Sequence, residues 1–366
     1  MGSKNQTEMM VASLPELGWG NDFIQQLSLD EWDDYVPARV IEQHRSQLLV
    51  ALDNKSVIVA YPVHMDAAIT VGDWLLLDHD LAVHRVLDRK TVFQRKASGE
   101  KAKTQLIAAN VDTVFIVSSL NHDFNLNRIE RYLVLANEAK VEPVVVLTKV
   151  DLCESEEKRE HYVQQIQSLD PYLMVVTVNA LDESELSQFS AWCKPGKTMA
   201  LLGSSGVGKS SLTNLLVGKQ VLATAGIRED DSKGRHTTTG RSLNLIPSGD
   251  VLAGGLLLDT PGMRELQLAN VDEGIEETFS DIIALGQSCK FSDCSHDNDL
   301  PENSGCAVQA AISSGELELR RLLSFQKLQR EDALNSATLA QRREKDKQFG
   351  KMVRSVMNEK KKEKKR

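Results

Sequence analysis

The sequence predicts an α/β chain. A mostly parallel sheet with helices on its faces is preceded by a small β-barrel and followed by a helical domain stapled by a metal ion. Three observations predict this. Short apolar runs alternate with helical stretches between residues 113 and 258, the pattern of a sheet covered on both faces. Ahead of them, five or so short strand-like runs follow one another from Val36 to about Val92, close enough for a small barrel. Behind them, Cys289, Cys294, His296 and Cys306 fall close together, with the spacing of metal ligands.

A chain of 366 residues with 41% hydrophobic side chains has room for two or three domains and a sizeable core. No apolar run approaches the ~18 residues that cross a bilayer. Residues 1–30 are mixed and polar, unlike a secretory signal. The start Met1-Gly2-Ser3-Lys4-Asn5-Gln6 lacks the hydroxyl residue of a myristoylation signal. The expectation is a cytoplasmic, monomeric protein acting away from membranes. Five cysteines, an odd number, argue against a full disulfide framework, and Cys153 and Cys193 stand apart. The net charge of −9 is unevenly spread: Arg342 to Arg366 holds 12 Lys/Arg and 4 Asp/Glu, so +8 there and −17 elsewhere. A basic tail on an acidic body suits an anionic partner, RNA first among them, or else a solvated helix end.

Taken in order, residues 1–34 read as a loose or helical extension. Residues 35–95 read as an OB-type barrel. His44, Arg45, Tyr61, His64, His84 and Arg85 could meet nucleic acid there, whereas Trp74 fits a core better than a stacking platform. Residues 93–108 read as a basic linker. The α/β domain spans 96–268. Its expected strands are 113–118, 144–147, 173–178, 199–202, 243–246 and 255–258, with helices at 127–139, 154–168, 183–193 and 209–217. Residues 269–340 read as the metal-stapled helical domain, with one long charged helix over 313–347, and 341–366 as the basic tail.

The chemistry lies in four motifs. Gly203-Ser204-Ser205-Gly206-Val207-Gly208-Lys209-Ser210-Ser211 fits G-x-x-x-x-G-K-[ST] between a strand and a helix. Backbone N–H groups of such a loop cradle phosphates, Lys209 reaches the outer ones, and the Ser210 hydroxyl binds Mg²⁺. Asp259-Thr260-Pro261-Gly262 closes an apolar strand as a D-x-x-G motif. Asp259 would hold Mg²⁺ directly or through water, and the Gly262 N–H would sense the γ-phosphate. Between these lies Gly234-Arg235-His236-Thr237-Thr238-Thr239-Gly240, a switch-like loop. One of its threonines would complete the Mg²⁺ shell, Thr238 being favoured. Upstream, Thr148-Lys149-Val150-Asp151 after an apolar strand resembles N-K-x-D. Asp151 would pair with the guanine N–H and amine, an edge that adenine lacks, and the Lys149 stem would cover the base. Thr148 stands where asparagine is usual, removing an amide able to tie the base to the phosphate loop. Asn179-Ala180 stands where a Ser-Ala pair usually meets the guanine carbonyl.

Ordinary GTPases place the phosphate loop first; here the base-reading motif precedes it. The fold class is therefore a circularly permuted P-loop GTPase domain, since a parallel sheet needs its strands in place whichever end the chain starts from. Met263 occupies the position of a water-orienting glutamine. Slow intrinsic hydrolysis follows, with help from His236 or from a partner RNA or protein; alternatively, His236 is simply an exposed loop residue. The Cys/His cluster supplies the ligand set of one closed, structural Zn²⁺ site.

With these residues in view, the chain resembles the RsgA (YjeQ) family of bacterial small-ribosomal-subunit biogenesis GTPases. The resemblance runs from the barrel through Ala108-Ala109-Asn110-Val111-Asp112 and Asn125-Leu126-Asn127-Arg128-Ile129-Glu130-Arg131-Tyr132. It continues through the phosphate loop, residues 234–239 and 259–265, and the Cys/His cluster. It implies a GTPase that binds the small (30S) subunit and its rRNA late in assembly. Subunit binding would stimulate hydrolysis and GDP would favour release. It also implies zinc at Cys289, Cys294, His296 and Cys306, RNA contact by the barrel and zinc domain, and catalysis by His236. Thr148, Asn179 and the length of the loop from His296 to Cys306 depart from the family pattern. Two rival readings remain at this level: a nucleotide-gated RNA-binding factor in which hydrolysis is secondary, motivated by Met263, and an ATP-using enzyme, motivated by Thr148.

Overall fold

The computed structural model describes residues 10–62, 65, 67–96, 104–121, 123–218, 241–259, 268–297 and 305–336. After α1 (Asn21–Ile24) and α2 (Leu29–Asp34), five antiparallel strands follow: β1 (Val36–Gln43), β2 (Gln47–Leu52), β3 (Lys55–Ala60), β4 (Trp74–Leu77) and β5 (Val83–Val86). They pair in the order β3-β2-β1-β4-β5, as in a partly open five-stranded OB-type barrel. Ala38, Val40, Leu48, Val50, Val59, Leu75 and Leu77 fill its interior. Alternate residues, Ile41, Leu49, Trp74 and Leu76, pack instead into the core shared with the rest of the chain, because side chains alternate between strand faces. Trp74 is 1% exposed against Trp19 and Phe23, so it belongs to the core as its residue type suggested. Arg85 is paired with Glu31 and His84 stacks on Tyr35. Tyr61 is half-buried, His44 and Arg45 are exposed, and His64 lies outside the described residues.

The segment read as a basic linker instead contributes a hairpin. β6 (Val92–Lys96) pairs with β7 (Thr104–Ala109). Phe93, Ile107 and Ala108 are buried, and that burial outweighs the charges between them. Gly72 shows how closely the barrel meets this hairpin: at φ +91°, a side chain there would bring its Cβ to 2.1 Å from the Ala109 carbonyl oxygen.

The central sheet comprises β8 (Thr113–Ser119), β9 (Glu142–Thr148), β10 (Met174–Val178), β11 (Thr198–Leu202), β12 (Ser242–Ile246) and β13 (Gly255–Asp259), in the order β10-β9-β8-β11-β13-β12. All are parallel except β12. β8 is buried along its whole length, as expected of a strand covered on both faces. Val114 and Ile116 face the larger core, and Phe115 and Val117 face the one lined by Leu212, Leu215 and Leu216. The helices are α3 (Leu126–Glu138), α4 (Glu156–Gln167) and α5 (Lys209–Val217). The helix expected at 183–193 is a short 3₁₀ stretch, Glu183–Phe189, capped by Asp182.

The chain ends in α6 (Asp272–Thr278), α7 (Ser280–Gln287), α8 (Ala307–Ser314) and α9 (Leu319–Ser336). The single helix expected from residue 313 is broken. Gly315, at φ +78°, closes α8 in the left-handed conformation and α9 starts afresh. Residues beyond 336, including the basic tail, lie outside the description. No described helix is long and apolar enough to cross a membrane.

One buried cation joins barrel to sheet. Arg39 of β1 is 1% exposed and donates to the Leu17 carbonyl, to the Asn110 carbonyl at 3.1 Å and to Thr198 Oγ1 at 2.7 Å. Burial lowers its guanidinium to about 10, with Asp112 and Asp73 opposing the shift. Arg39→Met leaves these buried acceptors without a donor. It is expected to lower the unfolding free energy by about 3 kcal/mol, measured by urea denaturation.

Candidate functional site

The sheet order places a crevice where connections diverge. β8 leads to β9 and β10 on one side, and the chain then crosses to β11 on the other side of β8. Ligands of open α/β sheets bind at the carboxyl ends of strands beside such a point. The Thr148–Asp151 turn and the Gly203–Ser211 loop meet there. The phosphate loop leaves β11 with Gly203 at φ +154°, and a Cβ on Gly203 would lie 2.4 Å from the Val117 carbonyl oxygen. Gly206 and Gly208 are also left-handed, at +79° and +98°. Ser205 and Gly206 are exposed at the tip, and Val207 is buried beneath them. Lys209 opens α5 and donates its ammonium to the Gly203 carbonyl at 2.7 Å and to the Ser204 carbonyl. Ser210 and Ser211 follow on the same turn, both half-buried.

The Thr148–Asp151 segment is strapped to this loop. The tie expected to be lost with Thr148 is present: the fully buried Thr148 hydroxyl meets the Val207 carbonyl and, at 3.3 Å, that of Ser118. A Cβ on Gly208 would sit 3.2 Å from the same hydroxyl oxygen, so a glycine lets the two segments close. Lys149, left-handed at φ +60°, donates its ammonium to the Gly206 carbonyl at 2.7 Å. The 3₁₀ turn Val150–Leu152 then presents Asp151 at the surface. Val178 pairs with Thr148 in the sheet. Asn179 therefore comes up beside the base-reading turn, its Oδ1 accepting from the Leu181 N–H at 3.1 Å with Ala180 buried next to it. Asp259 ends β13 opposite Ser242. His236, Thr238, Gly262 and Met263 lie outside the described residues.

Sequence reasoning missed one group. Asp123 and Arg128, at the start of α3, contact Ser204 of the loop. Arg128 lies inside the Asn125–Tyr132 stretch, but nothing in local spacing reveals a partner 76 residues away.

The C-terminal cluster forms a second site. Ligand atoms of Cys289, Cys294, His296 and Cys306 all lie within 4.8 Å of one another. Sulfur–sulfur separation for Cys289 and Cys306 is 3.9 Å, and His296 Nδ1 lies 3.7 and 3.5 Å from those two sulfurs. Ligands at Zn–S distances in a tetrahedron stand about 3.8 Å apart. Backbone N–H groups of Ala307 and Gln309 point at the Cys289 and Cys306 sulfurs, at 3.3 and 3.4 Å, as hydrogen-bond donors do around thiolates that bind a metal. Burial pushes the Cys306 thiol up to about 11. At Cys289 burial works in the same direction, but N–H donors of Ala307 and Val308 prevail and hold the thiol below its usual value. Burial lowers His296, keeping the imidazole neutral as a ligand must be. This Cys₃His set is compatible with a zinc site. By contrast, burial pushes Cys193 up to about 12, an inert thiol.

A phosphate loop that follows its base-reading strand in the chain, and meets it across a parallel sheet, defines a circularly permuted GTPase. Two solved structures share the fold. YjeQ from Thermotoga maritima aligns with TM-score 0.56 and 24% identity over 80% of this chain and 97% of its own. YloQ, described as a circularly permuted GTPase, aligns with TM-score 0.55 and 21% identity over 80% and 93%. The RsgA GTPase family profile matches residues 86–269. A Vibrio parahaemolyticus protein named small ribosomal subunit biogenesis GTPase RsgA 2 is 53% identical over 95% of this chain and 94% of its own length. A Mesorhizobium japonicum protein named small ribosomal subunit biogenesis GTPase RsgA is 44% identical over 88% and 91%. The chain belongs to the RsgA GTPase family, and its reaction is the hydrolysis of GTP.

The strap gives a direct prediction. Thr148→Val keeps the shape and removes the hydroxyl. It is expected to weaken GTP and GDP binding alike, by about five- to tenfold, in a fluorescence competition titration. Equal affinity to the parent would remove the strap from the account.

Proposed function

We propose that this chain hydrolyses GTP on the small ribosomal subunit late in its assembly, as a monomer, and that hydrolysis drives maturation of the subunit and release of the protein. The observation that carries this is the match along almost the whole chain to relatives named for that role, at 53% and 44% identity. The match includes the barrel and the Cys/His domain as well as the GTPase core.

The residues divide the work as follows. Loop N–H groups from Gly203 to Ser211 hold the phosphates. Lys209 exchanges the loop carbonyls it now holds for the β- and γ-phosphate oxygens. Ser210, Thr238 and Asp259 would hold Mg²⁺, which would supply positive charge to offset that of the phosphates. Asp151 accepts from the guanine edge, Lys149 covers one face of the base, and Asn179 and Ala180 approach its carbonyl. Gly262 senses the γ-phosphate. His236 orients the attacking water in place of the glutamine that Met263 replaces. The switch loop orders with GTP and is released on hydrolysis. The retained tie at Thr148 supports a guanine site and removes the motive for an ATP reading. Cys289, Cys294, His296 and Cys306 would hold one structural zinc, which would cross-link the segment between α7 and α8 in the domain that, with the barrel and the basic tail, contacts rRNA.

Hydrolysis of labelled GTP by the full chain, alone and with purified small or large subunits, tests the proposal. Small subunits alone are expected to raise the rate at least tenfold, with Lys209→Ala reducing turnover to background. No stimulation by small subunits would sink the ribosomal reading and leave the family assignment standing. Elemental analysis is expected to find one zinc per chain. Cys294→Ser should lose it and open residues 289–306 to protease; a metal-free parent with the same protease resistance would remove zinc from the account.

A further inference from the structure

Asp123, Arg128 and Ser204 form a closed ring beside the phosphate loop that the nucleotide motifs do not account for. Arg128 Nη1 donates to Ser204 Oγ at 2.7 Å and to Asp123 Oδ2 at 2.9 Å. The Ser204 hydroxyl donates to the same carboxylate oxygen at 3.2 Å. On its other side, the Ser204 carbonyl accepts the Lys209 ammonium. One loop residue thus lies between a fixed guanidinium and the lysine that handles phosphate.

The loop is held from two directions. Thr148 and Lys149 take the carbonyls of Val207 and Gly206. Arg128 takes the side chain of Ser204 at the other end. When Lys209 moves to a nucleotide, the Gly203 and Ser204 carbonyls lose its donor, while the hold on the Ser204 side chain is unaffected. Asp123 balances the Arg128 charge at contact distance, so the ring adds little net field at the phosphates. Its contribution is geometric. The backbone of Arg128 is itself fixed. In the next turn of α3 the fully buried Glu130 accepts from Arg320 at 3.0 Å and from Arg321 at 3.1 Å, and Arg131 pairs with Glu331 at 2.5 Å. The helix that carries Arg128 is therefore held against the C-terminal helix α9.

We propose that Arg128 is a positioning residue for GTP hydrolysis: acting through Ser204, and backed by Asp123, it keeps the phosphate loop in register while Lys209 changes partners. The inference rests on the family's GTPase chemistry and not on the ribosomal reading.

The test uses the full chain without ribosomal subunits, in single-turnover hydrolysis of labelled GTP, with nucleotide affinities measured separately. Arg128→Ala is expected to lower the hydrolysis rate about tenfold while GDP affinity stays within about twofold, because a misplaced loop costs more at the transition state than in the ground state. Ser204→Ala, a smaller change that spares α3, should give the same fall, and the double variant should be no worse than either single one. Both contacts come from Nη1, so Arg128→Lys, which keeps a charged multiple donor, should recover more of the rate than Arg128→Met, which has no donor. Unfolding midpoints that match the parent's would separate this from general destabilisation. Rates within twofold of the parent for Arg128→Ala, additive losses in the double variant, or equal rates for the lysine and methionine variants would each overturn the proposal. Should Arg128→Ala fail to fold, Ser204→Ala alone decides, and an unchanged rate there overturns it.

Discussion

A nucleotide has a base at one end and phosphates at the other, so the loops that read them must keep a set distance. In this chain the two loops proposed for those roles leave β9 and β11, strands separated by β8. The ladders fix their bases two strand spacings apart, about 10 Å. Above the sheet, hydrogen bonds from Thr148 and Lys149 to the phosphate-loop carbonyls complete the constraint. Gly208 permits it by presenting no side chain to Thr148. Asp151, Lys209 and Ser210 derive their relative positions from this join, and the flanking domains are attached around it. A threonine does here what a longer amide does in related motifs, because the backbone approach is close enough for a hydroxyl.

Two buried arginines fasten the flanking domains. Arg39 ties the barrel to β11 and to the N-terminal segment. Arg321 ties α9 to Glu130 of α3, to Asp281 of α7 and to the Thr278 carbonyl, with its guanidinium 5.0 Å from the Phe279 ring centroid. A planar cation with five donors serves three elements at once, which one lysine cannot do. Buried charge is costly on its own. Each arginine is accordingly surrounded by acceptors, and each junction holds only in one arrangement of its elements.

Most of the sheet was legible because its strands are apolar throughout and separated by helices of ordinary length. The positions of the Gly203–Ser211 loop and the Thr148–Asp151 turn at strand ends were legible because their signals are local: glycines, one lysine and one aspartate at fixed spacing. The Cys/His cluster was legible for the same reason, and Cys306 lies with the other three despite the longer loop. The misses share a cause. The β6–β7 hairpin was hidden by lysines and arginines whose neighbours are buried by tertiary packing. The break at Gly315 was hidden in a polar helical texture. The Asp123–Arg128–Ser204 ring and the Thr148 hydroxyl depend on contacts across 59 to 81 residues, a distance at which spacing carries no signal.

The permuted order also sets the sequence in which parts of the site emerge during synthesis. The barrel and β8 to β10 precede the phosphate loop, so they leave the ribosome before any phosphate-binding backbone exists; domains form amino end first as the chain grows. β11 then enters beside β8, and β1 meets β12 only when Ser242 can reach Glu42. Nucleotide therefore cannot act as a template for the early half of the fold. Its phosphates find their loop only once residues 203–211 have been made, more than halfway along the chain.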